Sequence, residues 1–155
     1  VHSAGVISLG NVAMANPDDF DRQYRINVRA PFFLTQKLLP LITSRKGQVV
    51  FINSSAGLIA RPGAAGYSAS KHALKAIADA LRGEVRILGL RVISVFPSRT
   101  ATQMQAEISE KEGVPYLPQD LMQPEDIANA VIEALGSERT ANIGDIVLQR
   151  ERSCS

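Results

Sequence analysis

The chain is poor in the residue types that build disulfides, metal sites and membrane spans. Its 155 residues include two histidines, one cysteine and no tryptophan. The single Cys154 excludes an intrachain disulfide, and two distant histidines with one cysteine do not make a zinc site. No apolar run reaches the roughly 18 residues of a transmembrane helix, and the first residues lack the pattern of a signal peptide. We therefore expect a cytoplasmic protein with neither a metal site nor a membrane partner.

An excess of charge of one sign is also missing. Lys and Arg total 17 and Asp and Glu total 15, which leaves a net charge of +2. This charge is too small to predict binding to nucleic acid or to a membrane surface. Hydrophobic residues make up 45% of the chain and charged residues 21%, as in ordinary globular proteins. The length suffices for the core of one domain, so residues 1–155 are predicted to be a single domain.

The first residues have the character of a strand end. Val1-His2-Ser3-Ala4-Gly5 looks like a strand that runs into a turn, and Val1 is not a methionine. Domains rarely begin at the tip of a strand, so we expect further chain upstream of Val1. The segment from Val6 to Asn16 is predicted to be a loop.

Strand and helix patterns alternate along the rest of the chain. Short apolar runs predict strands at Gln48–Asn53, Arg91–Phe96 and Asp145–Leu148, the first of them buried on both faces. Helix patterns with caps lie at Asn16–Gly47, Tyr67–Leu88 and Gln123–Gly136, the first of them with a kink expected at Pro31. This order predicts an α/β fold, an open, doubly wound parallel sheet with helices on both faces.

The segment from Ser98 to Pro118 shows neither pattern. It is polar and is predicted to be irregular, with Met104 interspersed. Loops of this length inside a compact domain are often lids or substrate loops, so Met104 is a candidate to cover a substrate.

Candidate site residues follow the predicted strands. Ligands bind such sheets at the carboxyl ends of the strands, which brings together the loops after Gly5, Ser54 and Pro97. Tyr67 and Lys71 follow the Ser54 loop and are four residues apart, so they share one face of a helix. A nearby ammonium favours the phenolate, which predicts a lowered tyrosine pKa and a group able to exchange protons. Tyr–Lys pairs at this spacing also occur on many helices without any catalytic role.

One further polar residue stands out on an otherwise apolar helix face. Asn27 lies on the same face as Phe20 and Val28, and a buried amide needs hydrogen-bond partners. Taken alone, it would be read as bonded to a neighbouring backbone.

Taken together, these segments resemble the short-chain dehydrogenase/reductase family. Ser54 lies thirteen residues before Tyr67, a spacing typical of that family. The matching segments, in order, are Ser3-Ala4-Gly5, Asn27-Val28, Ser54-Ser55-Ala56-Gly57, Tyr67-Ser68-Ala69-Ser70-Lys71 and Pro97-Ser98-Arg99-Thr100-Ala101-Thr102.

The resemblance implies a Rossmann-like fold and an NAD(P)-dependent oxidoreductase. Tyr67 would be the general acid/base of hydride transfer between the nicotinamide and a small carbonyl or alcohol substrate. Lys71 would lower the pKa of Tyr67 and bind the nicotinamide ribose, Ser54 would donate to the substrate oxygen, and Asn27 would hold a water of a proton relay. The implied cofactor positions, for NADP or NAD, are Ser3, Ala4, Gly5, Tyr67, Lys71, Pro97, Ser98, Thr100 and Thr102.

The chain departs from the family pattern in three places. It lacks the glycine-rich turn that binds the pyrophosphate, so we expect it to be the carboxyl-terminal portion of a longer polypeptide. His2 and Ser3 replace the usual paired asparagines, which changes hydrogen bonding near the adenosine ribose. Ser98 replaces a glycine near the expected position of the nicotinamide carboxamide.

Other functions compatible with the pattern are a non-catalytic Rossmann-type binding or scaffold protein, a truncated inactive fragment, and a sugar epimerase or dehydratase. The intact set of four catalytic positions favours the oxidoreductase. The absence of a longer carboxyl-terminal substrate domain counts against the epimerase. Small residues on the Tyr67 helix, together with the preceding long helix, predict a homodimer or homotetramer.

Overall fold

The computed structural model describes residues 1–150, so the predicted polar tail and Cys154 lie outside the described residues. The three strands have almost the predicted bounds: β1 Gln48–Ile52, β2 Arg91–Pro97 and β3 Asp145–Leu148. They form a parallel sheet in the order β1-β2-β3. Val50 lies opposite Ile93, and Val95 lies opposite Ile146.

The helices surround this sheet. In chain order they are α1 Pro17–Tyr24, a π-helical turn Arg25–Arg29, α2 Ala30–Ser44, α3 Ala65–Val85, α4 Gln103–Glu112 and α5 Pro124–Gly136. Helix α3 continues into a short 3-10 turn and ends at Gly89, whose φ of 72° is left-handed, as the terminal glycine predicted.

Helices cover both faces of the sheet. Successive strand residues point to opposite faces, so Val49 and Phe51 pack under α3 while Val50 packs under α5. β1 and β2 are nearly continuous in apolar residues because both of their faces are buried, whereas Asp145 and Val147 of the edge strand β3 are exposed. The predicted doubly wound α/β architecture is confirmed.

The first residues add a strand position beside β1. The His2 N–H donates to the Val50 carbonyl at 2.7 Å, and the His2 carbonyl accepts from the Ile52 N–H at 2.9 Å. The imidazole stacks on the Phe51 ring, with 4.9 Å between centroids, and hydrogen-bonds to Thr35. The predicted strand end at Val1–Gly5 is therefore confirmed, and it aims the following turn at the edge where β1 ends.

The interruption of the long helix lies just before the predicted kink at Pro31. Between α1 and α2 the backbone forms a π-helical turn, in which the Ala30 N–H donates to the Arg25 carbonyl. Proline has no N–H to donate to the carbonyl four residues earlier, which is that of Asn27. The backbone absorbs this missing bond in a wider turn, and Asn27 lies in the middle of it.

Helix α4 corrects the expectation of an irregular Ser98–Pro118 segment. The Thr102 side chain accepts from the Gln105 N–H at 3.2 Å and so caps the helix start. Gly113 ends the helix with a φ of 68°. Arg99 forms a double salt bridge to Glu112 at 2.7 and 2.8 Å, which ties the last turn of α4 to the loop after β2.

Candidate active site

A cleft of about 1380 Å³ opens at the carboxyl ends of the strands. It is lined by the turn at Gly5, the Ser54 loop, the start of α3, the Pro97 loop and α4. The predicted convergence of these loops is therefore confirmed. Of the predicted site residues, only Ala4 and Asn27 do not line the cleft.

Tyr67 and Lys71 point into the cleft from the first turns of α3. The Lys71 ammonium lies 5.8 Å from the centroid of the Tyr67 ring, as expected for neighbours one helical turn apart. Lys71 is only 4% exposed, and its Nζ donates to the Ile52 carbonyl at 3.2 Å. Burial lowers the pKa of Lys71 to about 8 because desolvation disfavours the ammonium.

The pKa of Tyr67 is raised, which corrects the expectation that Lys71 lowers it. Burial of the phenol is the largest cause, since the phenolate loses more hydration than the phenol. The Ser54 side chain acts in the opposite direction and favours the phenolate. Among the hydrogen bonds of the described residues 1–150, none of standard geometry joins the Ser54 and Tyr67 side chains. The spacing along the helix predicted that the Lys71 ammonium lies near Tyr67, but it did not predict that the Tyr67 phenol is buried.

The Ser54 loop is fastened to α3. Ser54 has an extended backbone, and its hydroxyl accepts from the Ala56 N–H at 3.1 Å to cap a 3-10 turn, Ser55–Gly57. The Asn53 side chain donates to the Lys71 carbonyl at 3.1 Å. A Cβ at Gly57 would lie 2.5 Å from the Asn53 side-chain oxygen, so only glycine fits there. These contacts fix Ser54 relative to Tyr67.

Asn27 has the partners that its burial requires. Its side-chain oxygen accepts from the Val6 N–H at 2.9 Å, and its side-chain nitrogen donates to the Val6 carbonyl at 2.9 Å and to the Ser70 hydroxyl at 3.0 Å. The amide is 1% exposed and clamps the chain just after Gly5. The expectation of a bonded, buried amide is confirmed, whereas the predicted bound water stays a prediction.

The loop after β2 uses its hydroxyl groups largely to hold its own shape. Ser98 donates to the Met122 sulfur at 3.1 Å, and Thr100 donates to the Ser98 carbonyl at 3.0 Å. The Ser98 N–H donates to the Leu148 carbonyl at 2.9 Å. Thr102 caps α4, so the predicted cofactor loop runs directly into the helix that lines the cleft.

The sequence analysis missed one buried polar residue next to this site. Gln23 is 2% exposed and lies one helical turn before Asn27. Its side-chain oxygen accepts from the Ser8 N–H at 3.0 Å, and its nitrogen donates to the Asp19 carbonyl at 3.2 Å. The sequence signal for Gln23 was that it is a second amide, four residues before Asn27 and therefore on the same helix face.

The family model of the short chain dehydrogenases matches residues 1–113, which include Asn27, Ser54, Tyr67 and Lys71. The match covers well over half of the chain and all of the elements that carry these four side chains. The chain belongs to the short-chain dehydrogenase family.

Individual proteins to which this chain is similar are reductases, dehydrogenases and oxidoreductases. An NADPH-dependent 3-dehydrocapnine reductase of Ornithobacterium rhinotracheale is 38% identical over 125 residues, covering 77% of this chain and 44% of the reductase. The structure of 4-hydroxyisoleucine dehydrogenase complexed with NADH and succinate superposes with a TM-score of 0.80 at 27% identity, covering 95% of this chain and 64% of that one. An E. coli oxidoreductase gives 0.84 at 31% identity, covering 94% and 58%. The chain thus spans about half to two thirds of these short-chain dehydrogenase relatives.

No helix within residues 1–150 combines the length and apolar character required to cross a bilayer. The same residues contain no group of three His, Cys, Asp or Glu side chains arranged to hold a metal ion.

Proposed function

We propose that this chain carries the catalytic half of an NAD(P)-dependent oxidoreductase that interconverts a carbonyl compound and its alcohol. The observation that carries the proposal is the meeting of Ser54, Tyr67 and Lys71 in one cleft at the carboxyl edge of a parallel sheet. An acid/base phenol, a hydroxyl beside it and a buried ammonium are the groups that such a reaction needs around the reacting oxygen.

The cleft has the chemistry to hold the nicotinamide end of the cofactor. Lys71 uses one N–H on Ile52, which leaves two donors for ribose hydroxyls. The Ser68 hydroxyl also lines the cleft, is 1% exposed and has no hydrogen-bond partner within residues 1–150. The remaining contacts would come from Ser3, Ala4, Gly5, Pro97, Ser98, Thr100 and Thr102. Relatives named with NADPH and with NADH support either cofactor.

A nicotinamide held in this cleft would supply the hydride for reduction or accept it during oxidation. Tyr67 then supplies the proton for the carbonyl oxygen during reduction, or takes it from the alcohol during oxidation. A raised pKa keeps Tyr67 protonated at neutral pH, which suits the reductive direction. Ser54 donates to the same oxygen, and the Lys71 ammonium offsets the negative charge that forms on Tyr67.

The proton lost from Tyr67 has a route of replacement through Lys71. Asn27 lies across the Gly5 turn from the ammonium: a Cβ at Gly5 would be 3.5 Å from the Asn27 side-chain oxygen and 3.7 Å from the Lys71 Nζ. The Asn27 carbonyl receives no N–H from Pro31 and can therefore accept from a water. We infer that this carbonyl holds the water that connects Lys71 to solvent.

The test uses the whole protein with NADPH and with NADH. Enhanced nicotinamide fluorescence on binding and turnover of a panel of ketones are the expected results. Tyr67→Phe should lower kcat by roughly 10²–10⁴-fold while the cofactor still binds. Tyr24→Phe, at an exposed tyrosine that stacks on Phe20, is the matched control and should keep the wild-type rate.

The second candidate function is a scaffold or binding protein. It would follow if neither cofactor enhanced fluorescence and no ketone were reduced. Cofactor binding with equal turnover by wild type and Tyr67→Phe would instead refute the role of the tyrosine and leave the fold assignment intact.

We further propose that the whole protein is a homodimer or homotetramer. Exposed apolar side chains on α2, including Leu34 at 51% and Leu41 at 60%, lie on a helix that precedes α3. On α3 itself Ala76 and Ala80 are exposed, which leaves room for close helix packing. Light scattering of the whole protein should give two or four copies, and Leu41→Glu should lower that number. A monomeric wild type would refute the proposal.

A further inference from the structure

We propose that residues 5–10 form a substrate wall that binds the apolar part of the carbonyl substrate, and that Gln23 is the positioning residue that holds this wall. The inference rests on the proposed function, because it names the substrate class of the same cleft. Of its residues, only Gly5 and Asn27 also belong to the proposed catalytic site.

The substrate wall is fastened at every second residue. The Val6 N–H donates to the Asn27 side chain at 2.9 Å, and the Ser8 N–H donates to the Gln23 side chain at 3.0 Å. The Gly10 N–H donates to the Gly63 carbonyl at 2.8 Å. The loop predicted for this segment therefore has three regularly spaced anchors and behaves as an extra strand whose partners are mostly side-chain amides.

Two aliphatic side chains of this segment face the cleft. Ile7 and Leu9 both line it and are half-buried. Their shared direction is the one expected for alternate residues of an extended chain. The segment thus turns two aliphatic side chains toward the space beyond Gly5.

Helix α4 contributes a matching apolar surface. Met104 and Ile108, four residues apart on one helix face, line the same cleft and are half-buried. Four apolar side chains from two elements favour a substrate with an alkyl chain or an apolar ring over a small polar one.

Gln23 is placed to transmit this arrangement to the catalytic residues. A Cβ at Gly66 would lie 3.0 Å from the Gln23 side-chain nitrogen, so the amide touches the residue before Tyr67. The same amide therefore fixes the distance between the substrate wall and the first turn of α3. Asn27, one turn further along, fixes the wall relative to Ser70.

The test measures how affinity and rate depend on substrate chain length in the whole protein. The series is 2-butanone, 2-hexanone, 2-octanone and 2-decanone, with kcat and KM from turnover and with binding followed separately by saturation-transfer NMR. If the wall binds the alkyl chain, kcat/KM and affinity should rise by up to about fourfold per added methylene, mainly through KM and not kcat.

Gln23→Met keeps the size of the side chain and removes the acceptor for Ser8. In this variant kcat/KM and affinity should rise by only about twofold or less per added methylene of the ketone. The Ser8 backbone N–H, which loses its acceptor, should exchange its hydrogen with solvent up to about tenfold faster. Gln36→Met, at an exposed glutamine on α2, is the matched control and should keep the wild-type dependence.

Ile7→Ala and Leu9→Ala keep the proposal testable if Gln23→Met does not fold. Each should reduce the chain-length dependence of binding. A wild type whose binding does not depend on chain length would overturn the substrate class. An equal loss of kcat for all four ketones in Gln23→Met, with the slope retained, would overturn the positioning role. Binding that rises with chain length but no turnover of any ketone would leave the substrate wall supported and refute the proposed oxidoreductase instead.

Discussion

The buried ammonium of Lys71 donates to the main-chain carbonyl of Ile52 across 3.2 Å, where β1 ends. Within residues 1–150 this carbonyl is its one hydrogen-bond partner, and no carboxylate pairs with it. A single neutral acceptor compensates a buried charge only in part, which is why the pKa of Lys71 falls to about 8. The ammonium is therefore a cost to folding that the proposed catalytic role explains.

Replacing Lys71 by methionine should stabilise the fold at neutral pH while it abolishes turnover. The shift from 10.5 to about 8 corresponds to about 3 kcal/mol in the free energy of unfolding. Because the folded pKa lies below the unfolded one, the penalty is complete below pH 8 and fades as pH rises toward 10.5. Denaturant unfolding at pH 7 and pH 10 should show a smaller difference between the variants at pH 10. Lys75→Met, at a half-buried lysine of α3 that pairs with Asp79 at 2.6 Å, should give no such gain.

The rate of ketone reduction should fall as pH rises through about 8. Reduction needs Tyr67 with its proton, which the raised pKa ensures over this range, and Lys71 with its charge, which is lost near pH 8. We expect kcat/KM to drop by about one decade per pH unit above that point. Lys75→Met should keep the same falling limb. A rate that stayed level to pH 10 would contradict the need for a charged Lys71.

Two glycines on or beside α3 should respond to alanine in opposite directions. At Gly57 a methyl group would meet the Asn53 side chain at 2.5 Å and the Lys71 carbonyl at 3.0 Å. We expect Gly57→Ala to cost about 2 kcal/mol or more in the free energy of unfolding and to lower turnover by displacing the Ser54 loop. A methyl group added at Gly83 would meet nothing within 4 Å beyond its own helix backbone, so Gly83→Ala should stabilise the helix by about 0.5–1 kcal/mol. Thermal unfolding of both variants measures the contrast.

Arg91 should be the most sensitive charged residue outside the cleft. It is 6% exposed, and its guanidinium donates to the Ala134 carbonyl at 2.9 Å, the Ser137 hydroxyl at 2.8 Å and the Glu138 carbonyl at 2.8 Å. These acceptors lie at the carboxyl end of α5, where the helix dipole favours a cation.

Arg91→Met should therefore lower the free energy of unfolding by about 3 kcal/mol, because several carbonyls lose a charged donor at once. Arg91→Lys should recover only part of this loss, since lysine lacks the planar fork. Arg45→Met, at an exposed arginine after α2, serves as the control in the same urea titration. Equal stability of Arg91→Met and the wild type would contradict the capping role.

The strands, α3 and α5 could be predicted because their signals are local. A continuous apolar run bounded by polar residues identifies β2, and Pro124 with Gly136 brackets α5. Helix α4 carries only Met104, Ala106 and Ile108 as apolar positions, so its amphipathic pattern was too sparse to detect. Its cap at Thr102 was visible in the sequence, but the Arg99–Glu112 salt bridge that closes its far end was not.

The position of the site could be predicted from the sequence, but the pKa shift of Tyr67 could not. Order and spacing identified Ser54, Tyr67 and Lys71, since motif residues follow the ends of strands. The direction of the Tyr67 pKa depends on how much water reaches the phenol, which is set by residues distant in sequence. Gln23 escaped notice because its partner Ser8 belongs to a segment with no pattern. The single domain 1–155 and the cytoplasmic location stay predictions.

The π-helical turn at Arg25–Arg29 sets how α2 is rotated relative to α1, which matters for any redesign or graft of these two helices. One residue corresponds to about 100° of rotation around a helix axis. Deleting one residue there to make an uninterrupted α-helix would rotate α2 about its axis. The rotation would break the hydrogen bond between Thr35 and His2, and it would turn exposed apolar side chains such as Leu38 toward the interior. The buried amides of Gln23 and Asn27 and the exposed apolar surface of α2 therefore depend on the rotation that the π-helical turn sets between the two helices, and any graft has to keep that turn.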